Sequence, residues 1–96
     1  MFDTIQDAWS LFRYGYAESA YIAVAQSRRS IALEFQHNFI NEGLDCRVEM
    51  TDIFEFDGKS IEIDDGTMVI ATEFSGGWFT GPTTTVHVLE LKDIDK

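Results

Sequence analysis

Basic residues, cysteine and proline are all scarce in this chain. Seven Lys and Arg stand against seventeen Asp and Glu, a formal charge of −10 over 96 residues. That deficit argues against direct nucleic-acid binding, which rests on a basic footprint that neutralises phosphates. The single cysteine, Cys46, excludes an internal disulfide framework and fits a reducing compartment, so the expected location is cytoplasmic, in the host cytoplasm if the source is viral. No apolar run approaches the roughly 18 residues that a membrane span needs, so no membrane partner is expected. The opening MFDTIQDAW has neither the basic nor the apolar region of a signal peptide. With one proline, Pro82, and no repeat, low-complexity tract or linker, residues 1–96 read as a single domain.

What is present is a core-forming composition. Hydrophobic residues make up 45% of the chain, including eight Phe, three Tyr and two Trp, and aromatic side chains bury the most area per residue. The acids are unevenly spread. Residues 1–43 carry five acids and three bases, whereas 44–96 carry twelve acids and four bases, so the charge belongs mainly to the second half.

The first half, 1–43, reads as helical. Asp3 and Gln6 form a capping-box pattern, and Ile5, Ala8, Trp9 and Phe12 follow on one helix face until Gly15. A second, long helix is expected from about Glu18 to Gly43, with Tyr21, Val24, Ile31, Phe35 and Phe39 as its core stripe. Arg28 interrupts that stripe, so a break at Ser27-Arg28-Arg29-Ser30 is the alternative, and Ala20–Ala25 would then be a short strand.

The second half switches to a period of two. Cys46, Val48 and Met50 alternate with Arg47, Glu49 and Thr51, and the run continues to Phe54 and Phe56. Asp57-Gly58 and Asp65-Gly66 carry hairpin-turn chemistry. Ile61 and Ile63, then Met68, Ile70 and Phe74, mark further strands, and a glycine-rich loop over 75–82 leads to a Thr- and Val-rich strand over 83–91. Residues 44–91 thus predict an antiparallel meander, and 92–96 a polar tail. The expected class is α+β, with one or two N-terminal helices packed on one face of a C-terminal antiparallel sheet of about four strands.

If Val48, Met50, Ile61, Ile63, Met68 and Ile70 face the helices, alternation places Glu49, Glu55, Glu62, Asp64 and Glu73 on the opposite face, with Asp65 in an adjoining turn. Carboxylates about 6.6 Å apart along a strand approximate the roughly 6–7 Å spacing of phosphates along a nucleic-acid strand. Such an array suits a basic groove. Trp78 and Phe79, on the glycine-rich loop, are candidate apolar anchors. Other chemistries lack support. His37 and His87 stand singly, with no zinc-type spacing, and Asp57, Asp64 and Asp65 do not form a calcium loop, so no metal or cofactor is expected. Cys46, on the inward face of a strand, reads as an inert small hydrophobe, and a nucleophilic pairing with His87 has no motif behind it.

In size, acidity and lack of a catalytic motif the chain resembles the small acidic inhibitors that viruses and bacteria make against nucleic-acid enzymes, such as DNA-mimicking anti-restriction and anti-CRISPR proteins and immunity proteins against nuclease toxins. The resemblance rests on that profile and on no motif. It implies a non-enzymatic binding module that occupies the basic groove of a nuclease or another nucleic-acid-binding protein. The alternative is a structural or assembly subunit that self-associates, as a homodimer for example, through its aromatic helix or a sheet edge.

Overall fold

The computed structural model describes residues 17–76 and 81–91. The helix expected around Asp3–Phe12, the anchors Trp78 and Phe79, and the tail 92–96 lie outside the described residues. The class is α+β: among the described residues one helix packs against a mixed four-stranded sheet, beside a separate two-stranded hairpin.

Strand β1 (Ser19–Val24) is followed by a 3-10 turn (Gln26–Arg28), helix α1 (Arg29–Asn41) and β2 (Asp45–Met50). The hairpin strands β3 (Ile53–Phe56) and β4 (Lys59–Glu62) come next, then β5 (Thr67–Phe74) and β6 (Thr83–Glu90). The order in the main sheet is β2-β1-β5-β6. β1 runs parallel to β2, with Ile22 beside Val48, and antiparallel to β5, with Ile22 beside Ile70. β5 and β6 are antiparallel, with Ile70 beside His87.

Three expectations are corrected here. The long helix does not form: Ala20–Ala25 lies mostly in strand β1, and the chain breaks in the turn before Arg29. The physical reason is that Ile22, Ala23 and Val24 are all fully buried, the signature of a strand covered on both faces. The helix is therefore not N-terminal to the sheet. The sheet is mixed, because α1 supplies the crossover that a parallel pair requires. Finally, β4 does not continue into β5 as a meander. At Asp65-Gly66 the Asp64 carboxylate Oδ1 accepts from the Gly66 backbone N–H at 2.8 Å and from the Thr67 hydroxyl at 3.1 Å. This Asx-type turn redirects the chain into the main sheet.

Two cores result. On one face, Ala20, Ile22 and Val24 of β1 join Met68 and Ile70 of β5, Leu89 and Leu91, and Ala32, Phe35 and Phe39 of α1. Cys46, Val48 and Met50 of β2 point the same way, as the alternation predicts. On the other face, Ala23 and Val69 are covered by Ile63, with Tyr21, Phe54, Ile61 and Val86 around them. Ile61 and Ile63 thus pack opposite the helix and not beneath it, because they belong to the hairpin that closes the second face. The helix ends where the sequence indicates. Gly43 adopts φ +95°, Leu44 N–H donates to the Phe39 carbonyl at 2.9 Å and Gly43 N–H to that of Ile40 at 3.0 Å. A left-handed residue in that position satisfies the last carbonyls.

Candidate acidic binding surface

The expected single acidic sheet face divides into two groups. Glu49 and Glu73 lie on the main sheet, on the side away from α1, together with Asp45 and Arg47. β1 separates their strands, and the register sets them four residues apart along the strands. That amounts to about 13 Å along and about 9.6 Å across. Arg47, on the same face of β2, interrupts the negative charge. Glu73 lines a shallow concavity of about 320 Å³ with Ser19, Tyr21, Asp45, Arg47 and Ala71, where the charges are mixed.

The remaining acids cluster on the hairpin. The segment 52–65 carries Asp52, Glu55, Asp57, Glu62, Asp64 and Asp65 against one base, Lys59, and all seven side chains are exposed. β3 and β4 pair so that Ile53 faces Glu62 and Glu55 faces Ser60. These four occupy the outer face, because Phe54 and its partner Ile61 pack inward on the second core. Glu55 and Glu62 are diagonal neighbours on that face, about 7–8 Å apart.

The hairpin is held firmly. Asp57 and Gly58 both have positive φ, +54° and +75°, which is the two-residue turn that a twisted hairpin favours. The Phe54 ring packs against Tyr21 at 6.0 Å between centroids and stacks with Phe56 at 6.4 Å. Ile63 N–H donates to the Asp52 carbonyl at 2.9 Å, closing the base. Beyond it, Asp65 is tied to the 3-10 turn. The Ser27 hydroxyl donates to its carboxylate, and Arg28 Nε donates to its backbone carbonyl at 2.6 Å. Asp64 is spent partly on its own turn. The carboxylates of Glu55 and Glu62, like those of Asp52 and Asp57, carry no such tie among the described residues.

The sequence reading missed the apolar component of this surface. Ile53 is 45% exposed and Phe56 38% exposed, both within the acidic segment. Phe56 continues the inward alternation of Phe54, which suggested burial, whereas Ile53 is out of phase with that run and lies on the outer face of the hairpin. Among the described residues they are the exposed apolar side chains of the acidic segment.

Other candidates resolve by distance and burial. Cys46 and His87 sit on strands at opposite edges of the sheet, three strand spacings or about 14 Å apart. Burial, reinforced by the neighbouring Asp45 charge, pushes the Cys46 thiol up to about 11. At pH 8 only about one molecule in a thousand then carries the reactive thiolate. A thiol reagent such as DTNB should label native Cys46 more than tenfold more slowly than the urea-unfolded chain. Equal rates would show that the thiol is accessible and the β2–α1 packing loose. Burial also holds the His87 imidazole below its usual range. Among the described residues no group of three or more His, Cys, Asp or Glu is placed to hold a metal ion. No helix among them is long and apolar enough to cross a membrane.

The glycine-rich loop is anchored at its first residue. Glu18 N–H donates to the Glu73 carbonyl at 2.8 Å, and the Glu18 carboxylate accepts from Ser75 N–H at 2.5 Å. Hydrogen bonds from the Ser75 side chain and from its backbone N–H hold the Glu18 carboxyl below the usual range. Glu18 is therefore a structural carboxylate, although it is exposed.

No protein-family model, curated protein or solved structure matches the chain.

Proposed function

We propose that this protein is a non-enzymatic binding module whose acidic β3–β4 hairpin docks on the basic groove of a nucleic-acid-binding protein, such as a nuclease, and blocks it. The observation that carries the reading is the hairpin itself: six exposed carboxylates and one lysine over 52–65, on a turn held in place by Phe54, with Ile53 and Phe56 exposed beside them. Carboxylates in such a position accept charge-assisted hydrogen bonds from Arg and Lys. They also accelerate encounter with a basic partner by long-range steering. The exposed apolar pair adds contact area that bare charge lacks, and a preordered hairpin loses little conformational freedom on docking. Glu49 and Glu73 contribute steering from the sheet, not a continuous array with Glu55 and Glu62.

The test is capture from a lysate on the immobilised full chain at low salt. One or a few basic nucleic-acid-binding proteins should be retained, released by a salt gradient, and displaced by duplex DNA. Retention that persists unchanged to about 0.5 M salt, where the screening length is only a few Å, would contradict an electrostatic groove-filling role. So would a retained protein that DNA leaves in place.

A further inference from the structure

The two edges of the main sheet differ in kind. At the β2 edge, Asp45, Arg47 and Glu49 are all exposed, and charged side chains on an edge discourage pairing with another strand. The β6 edge has no such protection along its middle. Thr83 to Leu89 contains no Asp, Glu, Lys or Arg in a chain of which a quarter is charged. Its residues are Thr, Val, His and Leu, mostly strong strand formers. Val88 is 52% exposed, and among the described residues β6 has a hydrogen-bonded strand neighbour on one side only, β5.

We infer that β6 pairs with β6 of a second copy of this chain, antiparallel and across a two-fold axis, to give a continuous eight-stranded sheet. The sequence of β6 is self-complementary in that arrangement. With Val86 opposite itself, Thr84 meets Val88, Thr85 meets His87 and Thr83 meets Leu89. Glu90 falls opposite Pro82, so no carboxylate faces another across the join, where like charges would repel. Val86 already borders the second core, and the pairing extends that apolar strip from Val86 and Val88 of one copy to those of the other. The assembly also closes. Among the described strands, each copy uses the edge that is free of charge from Thr83 to Leu89, and the two outer edges are the charged β2 strands, which do not propagate a fibre. Because the axis is perpendicular to the sheet, both acidic hairpins emerge on the same side. The pairing does not depend on what those hairpins bind.

Salt separates this association from the one proposed above. Two copies that each carry −10 repel, so screening should tighten the dimer, whereas it weakens docking on a basic partner. Sedimentation equilibrium of the full chain at about 100 μM should give twice the chain mass of 10.9 kDa at moderate salt. The dissociation constant should fall as salt rises. Val88→Lys places a cation on each side of the join, at a position exposed enough to leave the protomer intact. It should raise the dissociation constant at least about tenfold with an unchanged far-UV spectrum. Glu49→Lys, at the opposite edge, should leave the dimer in place. A chain that stays monomeric at every salt and concentration overturns the inference, and hydrogen exchange then tells what occupies the edge. Protected β6 amides would mean another segment of the same chain covers it, and unprotected ones an edge open to a strand from a different protein. A dimer indifferent to Val88→Lys overturns it as well, since its interface would lie elsewhere.

Discussion

Replacing Glu55 and Glu62 together by lysine should abolish capture of the basic partner, lowering its affinity by about 100-fold or more. The two substitutions change the charge of the 52–65 segment from −5 to −1 and put two cations on the outer face of the hairpin. Each reversal removes a charge-assisted bond and adds a repulsion, and rim charges act mainly through the association rate and its salt dependence. The variant should still fold, because both side chains are exposed and exposed substitutions usually shift stability by less than about 0.5 kcal/mol. The comparison that gives the result meaning is Glu34→Lys with Glu42→Lys. Both are exposed, on α1 or at its C-terminal end, so the second pair makes the same change in net charge on the opposite side of the sheet. Its affinity should fall by less than about fivefold, the share owed to long-range steering. Equal losses in both variants would mean that net charge, and not the hairpin, carries binding. No loss in either would remove the electrostatic reading altogether. Titration of the captured partner by surface plasmon resonance at two salt concentrations separates these outcomes.

The parts of this fold that were readable from the sequence are those written in local chemistry. Asp57-Gly58 forms the two-residue turn it signals, Gly43 stops the helix, and Cys46, Val48 and Met50 face inward by simple alternation. The part that was legible only as the alternative to a long helix is β1. Its Ala20–Val24 run is apolar at every position, because helix and hairpin cover it from opposite sides, and a continuous apolar run has no period to read. That one misreading propagates. With β1 counted as helix, the remaining strands order themselves as a meander, and Glu49, Glu62 and Glu73 appear to share a face. β1, with Ser19, Tyr21 and Ala23 on that face, instead lies between β2 and β5 where the meander placed Glu62, so no carboxylate bridges Glu49 and Glu73. The same rearrangement frees β3 and β4 to leave the sheet and concentrate Glu55, Glu62, Asp64 and Asp65 around one hairpin. Pairing between β1 and β5 joins residues some fifty positions apart, such as Ile22 and Ile70. Its register is set by which side chains must be buried on both faces at once, which no short window reveals.

Phe39→Ala should be the most damaging single substitution among the core positions of the helix. Phe39 is wholly buried, packs edge-tilted on Phe35 with centroids 5.8 Å apart, and belongs to the core that joins α1 to β1, β2 and β5. Its backbone carbonyl also receives the Glu42 and Leu44 N–H groups that end the helix, so the residue sits at the turn through which the chain returns to β2. Truncating a buried Phe costs about 3–5 kcal/mol, because transfer free energy is lost and the cavity refills only in part. A domain of this length has about 5–14 kcal/mol in all. The urea midpoint should therefore fall by about 2–5 M, given a slope near 1–1.5 kcal/mol per M for a small protein. Ile40→Ser, one residue on, is the control: Ile40 is 53% exposed, and its loss should move the midpoint by less than about 0.5 M. If the two variants unfolded at the same urea concentration, α1 would not bury the face that contains Ala32, Phe35 and Phe39. Because the hairpin rests on the other core, through Phe54, Ile61 and Ile63, Phe39→Ala should lower partner binding only in proportion to the unfolded fraction. Phe54→Ala should do the reverse, costing less stability, since Phe54 is only half-buried, but releasing the hairpin from Tyr21 and so weakening binding in molecules that remain folded.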